Sequence, residues 1–255
     1  MVRRKLSNSG FYLLPNLLTT GSLFAAFYSI VSSFKGYYDG AVISIFIGMV
    51  VDGLDGRIAR LTNTQTHFGA EYDSLADMVT FGVAPAVLLY AWGLNDLGQW
   101  SWLVSFVYMA AVALRLARFN TQLETADKRY FQGLSCPPAA AVLSSYVWVF
   151  QAFAPSQRWV VLLASFLAII LAILMVSNVR YYSFKEVGTE NKNRFLNVLI
   201  GVLVLVAIAA NPSIMLMISS LAYALSGPVQ TLYGLHQVRK QRRLVSSRRS
   251  SKKTL

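Results

Sequence analysis

One cysteine, Cys136, and two histidines, His67 and His236, supply all the thiols and imidazoles in this chain of 255 residues. An intrachain disulfide is therefore excluded, along with any disulfide-built secreted scaffold, and a histidine-based metal centre has almost nothing to draw on. Charge is scarce as well. Only 13% of residues are Asp, Glu, Lys or Arg, whereas 55% are apolar and the mean hydropathy is +0.49; an ordinary soluble domain is about 25% charged. Too few charges remain to coat a water-soluble globule, and the same apolar surplus excludes a disordered chain. Acidic residues are rarest, 11 against 23 basic ones, for a net charge of +12.

What the chain has instead is long apolar runs. A helical span needs about 20 mainly apolar residues, and the pattern predicts an all-α integral membrane protein with about eight transmembrane helices, near 11–34, 40–60, 75–93, 99–117, 137–154, 159–178, 195–210 and 212–228. The last two are short and adjoin at Asn211-Pro212, where proline ends or kinks a helix. Basic residues test this count, since they collect on the cytoplasmic side of a correctly placed set of spans. Of the 23, 21 fall on alternate segments and only Lys35 and Arg158 on the opposite ones. Both termini are then expected in the cytoplasm. The basic start followed by an apolar run superficially resembles a signal peptide, but the run reaches Phe34, so a retained first helix is expected. The positive charge sits in loops and in a tail holding Arg239, Lys240, Arg242, Arg243, Arg248, Arg249, Lys252 and Lys253, which argues for membrane topology and against nucleic acid.

Against this background, Asp52, Asp55, Glu71, Asp73 and Asp77 crowd the junction of the second and third spans. Asp52 and Asp55 stand three apart and share a helix face, and Asp73 and Asp77, four apart, share another. Two helices joined by a short loop can thus aim four carboxylates at one spot. Each aspartate at a helix centre costs about 2.5–3.5 kcal/mol, about 10 kcal/mol or more together, before mutual repulsion. A water-filled cavity and bound divalent cations lower that cost, and oxygen-only ligands suit Mg²⁺, Mn²⁺ or Ca²⁺. Pairing with Arg57 and Arg60 is the plainer alternative. Gly53, Gly56, Ala59 and Gly69 allow close approach of backbone or phosphate, or simply close helix packing; Arg60 is a planar fork suited to a diphosphate.

The order Asp52-x-x-Asp55-Gly56-x-x-Ala59-Arg60, eight residues, then Gly69-x-x-x-Asp73-x-x-x-Asp77 resembles the motif of the CDP-alcohol phosphotransferase family at every fixed position. Further stretches resemble its membrane-embedded phosphatidylserine synthase branch: Pro15 to Thr19, Asp73 to Ala86, Arg115 to Asn120, Gly133 to Ala140 and Ser177 to Lys185. Ser135 stands where that branch usually has proline. The resemblance covers roughly 11–186. It implies a six-helix core, extended here by a C-terminal helical pair: 1–186 as the catalytic core, 187–235 as an additional hairpin and 236–255 as a basic cytoplasmic tail.

The resemblance further implies two Mg²⁺ or Mn²⁺ ions on Asp52, Asp55, Asp73 and Asp77, with Asp77 also the base, and a homodimer in a bacterial inner membrane with its active site facing the cytoplasm. CDP-diacylglycerol is expected at Gly56, Ala59, Arg60 and Gly69, with Asn16 and Thr19 as weaker candidates. The implied reaction is transfer of the phosphatidyl group to L-serine, releasing CMP. Arg115 and Arg118, one helical turn apart and followed by Asn120, either mark the cytoplasmic boundary or receive the serine carboxylate, for which a guanidinium fork is well suited. Two alternatives stand at this point: the same chemistry with glycerol 3-phosphate, inositol phosphate or choline as acceptor, and a cation or proton transporter using the aspartates as a path.

Overall fold

The computed structural model describes residues 13–62, 64, 66–122, 130–151, 157–182, 206–207 and 209–251. Helix α1 (Leu13–Phe34) has no charged residue and ends at a turn where Gly36 takes φ +71°, a conformation that favours glycine. Helix α2 (Tyr38–Leu61) packs antiparallel against α1, and a short loop leads to α3 (His67–Asp77). A π-helical turn at Met78–Val83 joins α3 to α4 (Ala84–Trp92), so that His67–Trp92 runs as one rod. Then follow α5 (Trp102–Gln122), α6 (Cys136–Phe150), α7 (Arg158–Val176) and α8 (Pro212–Ser251). Two three-residue strands, β1 (Tyr130–Gln132) and β2 (Arg180–Tyr182), pair antiparallel. This small ribbon departs from the all-α expectation, which period and composition over three residues could not have signalled.

Among the described residues, five helices are long and apolar enough to cross a membrane: Leu14–Phe34, His67–Trp92, Trp102–Thr121, Arg158–Val176 and Pro212–Thr231. Helix α2 is long enough, at 24 residues, but Asp52, Asp55, Arg57 and Arg60 crowd its last turns. Helix α6 is short, at 15 residues. The expected span 195–210 lies mostly outside the described residues. Pro212 opens α8, a position where its missing N–H costs nothing, and α8 then passes through Pro228 and the expected 235/236 boundary without a break.

Helix α6 is the centre, touching α2, α4, α7 and α8. Its run Ala139, Ala140 and Ala141 is buried, small side chains letting neighbouring backbones come close where lipid offers no hydrophobic drive. Outward faces stay apolar: Leu162, Phe166 and Ile173 along α7, and Leu17, Phe24 and Phe27 along α1, are exposed, as a lipid-facing surface requires. At the end of α2 away from the acidic cluster, Asp39 accepts hydrogen bonds from Trp148 Nε1 and Gln151 Nε2, both at 2.8 Å.

The π-turn has a definite support. Pro85 has no N–H to offer the Phe81 carbonyl four residues earlier, and the buried Tyr108 hydroxyl of α5 donates to that carbonyl at 3.1 Å. Replacing it, Tyr108→Phe, is expected to lower stability by about 1–3 kcal/mol, the cost of an orphaned buried acceptor. Thermal unfolding in detergent measures this, and an unchanged midpoint would mean the carbonyl has another donor.

Candidate active site

The loop between α2 and α3 is built to turn quickly. Thr64 N–H closes on Ala59 carbonyl at 3.1 Å, the Thr62 and Thr64 hydroxyls meet at 2.7 Å, and Thr66 caps α3 by accepting the Gly69 N–H at 3.0 Å. Threonine is a favoured residue at a helix N-cap for this reason. The short connection brings the last turns of α2 beside the first turns of α3.

Carboxylate oxygens of Asp52, Asp55 and Asp73 consequently lie within 4.8 Å of one another. Asp77 joins them, its carboxyl group within hydrogen-bonding reach of Asp52. Asp55 is buried and accepts a hydrogen bond from the Thr19 hydroxyl of α1 at 2.8 Å. Asp73 Oδ1 and Asp77 Oδ1 are buried oxygens without a hydrogen-bond partner among the described residues. No lysine or arginine is paired with any of the four among those residues, so the plainer pairing with Arg57 and Arg60 does not account for them. Orphaned, mutually facing carboxylates are the donor set a hard divalent cation takes.

Beside the cluster opens a cavity of about 270 Å³, lined by Asn16, Thr19, Asp55, Gly56, Ala59, Arg60, Gly69 and Asp73, together with Pro15, Thr64, Thr66 and Ala70. Small-molecule sites usually occupy about 300–1,000 Å³, so its volume suits a polar headgroup rather than a whole lipid. The two glycines differ in function. A Cβ on Gly56 would meet nothing within 4 Å, whereas one on Gly69 would come within 3.0 Å of Thr66 Oγ1 and 3.3 Å of Asn16 Oδ1. Gly69 therefore makes room for the helix cap, and Gly56 leaves the cavity wall bare.

Arg115, Arg118 and Asn120, all on α5, lie outside that lining. Arg115 Nη1 donates to Cys136 Sγ at 3.3 Å, and its buried Nε has no hydrogen-bond partner among the described residues. Arg118 turns away, its Nη2 donating to Asn178 Oδ1 at 2.6 Å and its Nη1 to the Val176 carbonyl at 3.3 Å. Asn120 Nδ2 donates to Ser74 Oγ at 3.0 Å, next to Asp73. Sequence reasoning missed Thr66, whose place before a helix was a readable cap signal, and it did not single out Ser74, Cys136 and Asn178, although each lies in a stretch that resembles the phosphatidylserine synthase branch.

A family model described as CDP-alcohol phosphatidyltransferase matches residues 12–176. The chain belongs to that family. A CDP-diacylglycerol--serine O-phosphatidyltransferase of Helicobacter pylori is 38% identical over 189 residues, 74% of this chain and 79% of that protein. One of the same name from Methanocaldococcus jannaschii is 32% identical over 74% of this chain and 83% of its own. The archaetidylserine synthase of Methanothermobacter thermautotrophicus is 33% identical over 71% and 75%. A solved structure of Mycobacterium tuberculosis phosphatidylinositol phosphate synthase with CDP-DAG bound is 18% identical, with a TM-score of 0.46 over 64% of this chain and 82% of that one.

In this CDP-alcohol phosphatidyltransferase family member, Gly56 provides a test with opposing signs. Gly56→Ala is expected to stabilise the fold by up to about 1 kcal/mol, as alanine does in a helix interior, while weakening CMP binding. Thermal midpoint and CMP affinity check it together; unchanged affinity would remove Gly56 from the ligand wall.

Proposed function

We propose that the chain is a CDP-diacylglycerol–serine O-phosphatidyltransferase, moving the phosphatidyl group of CDP-diacylglycerol onto the hydroxyl of L-serine to give phosphatidylserine and CMP. The observation that carries this is the carboxylate cluster on the wall of a headgroup-sized cavity lined by the motif residues. The Helicobacter pylori and Methanothermobacter thermautotrophicus relatives differ in the lipid their names imply and share serine as the alcohol, which supports serine over glycerol 3-phosphate, inositol phosphate or choline. A transporter would need polar groups distributed across the bilayer, and the four carboxylates are gathered at one place.

Residues divide the work. Gly56, Ala59, Arg60 and Gly69 receive the CDP portion, with Asn16 and Thr19 at its edge, while the acyl tails remain in lipid. Asp52, Asp55, Asp73 and Asp77 would hold two Mg²⁺ or Mn²⁺ ions, whose chemistry when bound is to neutralise the diphosphate and the charge developing on CMP. Arg115, whose buried Nε has no hydrogen-bond partner among the described residues, is the candidate for the serine carboxylate, with Arg118 and Asn120 beside it on α5. Serine is a poor nucleophile until its hydroxyl proton is taken. Asp77 Oδ1, which has no hydrogen-bond partner among the described residues, accepts that proton. The serine oxygen then bonds to the phosphorus bearing the diacylglycerol, the bond from that phosphorus to the CMP oxygen breaks, and CMP leaves with the electron pair.

The family match to 12–176 supports assigning catalysis to 1–186. The remaining spans complete about eight, a six-helix core plus the pair at 187–235, ahead of the tail at 236–255. The alternation of basic segments supports cytoplasmic termini and a cytoplasmic active site in a bacterial inner membrane; homodimerisation follows from the family resemblance.

Purified protein given CDP-diacylglycerol is expected to release CMP with serine and with no other acceptor, and EDTA is expected to abolish release. Release with a different alcohol alone would keep the catalytic site and overturn serine. Asp77→Asn is expected to cut kcat by about 10²-fold or more, the usual contribution of a general base, with CDP-diacylglycerol still bound; unchanged turnover would remove Asp77 from that role.

A further inference from the structure

Helix α8 lies beyond the family-matched residues 12–176, and nothing in the reaction described above uses it. Pro228 stands inside it. Having no N–H, Pro228 leaves the Ala224 carbonyl, four residues earlier, without its helical partner. Ala224 is only 2% exposed, so that acceptor is costly unless another donor serves it. The donor is Tyr181 of β2, fully buried, whose hydroxyl reaches the Ala224 carbonyl at 3.0 Å. The residue just before the proline completes the seat, since a Cβ on Gly227 would fall 2.3 Å from the Tyr181 ring. Ala224, Gly227 and Pro228 are spaced to share one face of α8, and Tyr181 rests on it.

From Tyr181 the connection runs back to the acceptor side. Phe131 of β1 is its strand partner, and the Gly133 N–H binds the Val179 carbonyl at 2.8 Å. Gly133 takes φ +81°, and a Cβ there would lie 2.3 Å from the Met175 carbonyl oxygen, so the segment entering β2 is clamped closely. Asn178, three residues before Tyr181, is the acceptor for Arg118 at 2.6 Å. Arg118 lies one helical turn from Arg115, and nearby Asn120 binds Ser74 beside Asp73.

We propose that α8 positions the acceptor end of the active site: the Tyr181 hydroxyl, seated on the carbonyl that Pro228 frees, holds the Asn178 segment against Arg118. Tyr181 is then a positioning residue for serine, and this rests on the serine-transfer reading above. The seat acts on the acceptor side and leaves the CDP side alone, since none of its residues lines the cavity.

The test uses the full-length protein and measures CMP release and thermal midpoints for Tyr181→Phe, Pro228→Ala, their double variant and Gly227→Ala. Tyr181→Phe is expected to raise the serine KM about fivefold or more while kcat and the CDP-diacylglycerol KM stay within about twofold, the signature of a lost ground-state contact for one substrate. Gly227→Ala, which pushes the ring from the other side, is expected to do the same. In the Pro228→Ala background the thermal penalty of Tyr181→Phe is expected to fall by about half or more, because a backbone N–H at 228 now serves the Ala224 carbonyl, while the serine KM stays raised. A wild-type serine KM in Tyr181→Phe, an equal rise in both KM values, or an identical thermal penalty in the two backgrounds would overturn the proposal. Failure of the wild type to release CMP with serine would instead strike the activity reading.

Discussion

Four aspartates meeting where two membrane helices join set a condition that the surrounding structure has to satisfy. The buried carboxyl group of Asp55 and the buried oxygens of Asp73 and Asp77 are tolerable only with a partner or a cation, and the fold supplies part of this from protein. Thr19 of α1 reaches across to Asp55, which ties the first helix to the cluster. The rest is left open: Asp73 Oδ1 and Asp77 Oδ1 have no protein partner among the described residues, and the Gly56 face of the cavity is bare. A site meant only for stability would have filled both. Open carboxylates beside an open wall are what an anionic, metal-chelating headgroup requires, so the instability of the cluster and its chemistry have one origin.

A second device recurs at two distant places. Pro85 in the rod His67–Trp92 and Pro228 in α8 each deprive a carbonyl four residues earlier of its helical donor, and in each case a buried tyrosine from another element supplies the missing hydrogen bond, Tyr108 to Phe81 and Tyr181 to Ala224. In lipid an unsatisfied carbonyl cannot turn to water. A proline inside a membrane helix therefore creates a specific, directional docking point for whatever donor packs there. One such point sits just beyond Asp77 and the other on α8, beyond the family-matched residues 12–176.

The division between apolar runs and basic loops, the helical class and the acidic motif were all legible in the residues, because each depends on local composition or short spacing. In the cavity lining, Gly56, Ala59, Arg60 and Gly69 were reachable through the motif, and Asn16 and Thr19 through the separate stretch Pro15 to Thr19. Arg118 was not, since spacing puts it on a common face with Arg115, yet Asn178 draws it toward the end of α7. Nor was the partnership of Arg115 with Cys136, which joins positions 21 residues apart on separate helices. The β-ribbon escaped notice for a similar reason: three residues at 130 and three at 180, though rich in strand-favouring aromatics, are too short to show a strand period until they pair.

Sequence alone determined that this chain has the long apolar runs of a membrane protein, that its rare acidic residues are concentrated at one junction, and which family their spacing resembles, since hydropathy, charge placement and motif spacing are properties of neighbours along the chain. Only the tertiary structure decided that Asp52, Asp55 and Asp73 converge within 4.8 Å, that Gly56 faces open space while Gly69 does not, and that α8 is pinned by Tyr181. Those outcomes depend on distances between helices, and such distances are set by packing, which no pattern along a single helix contains.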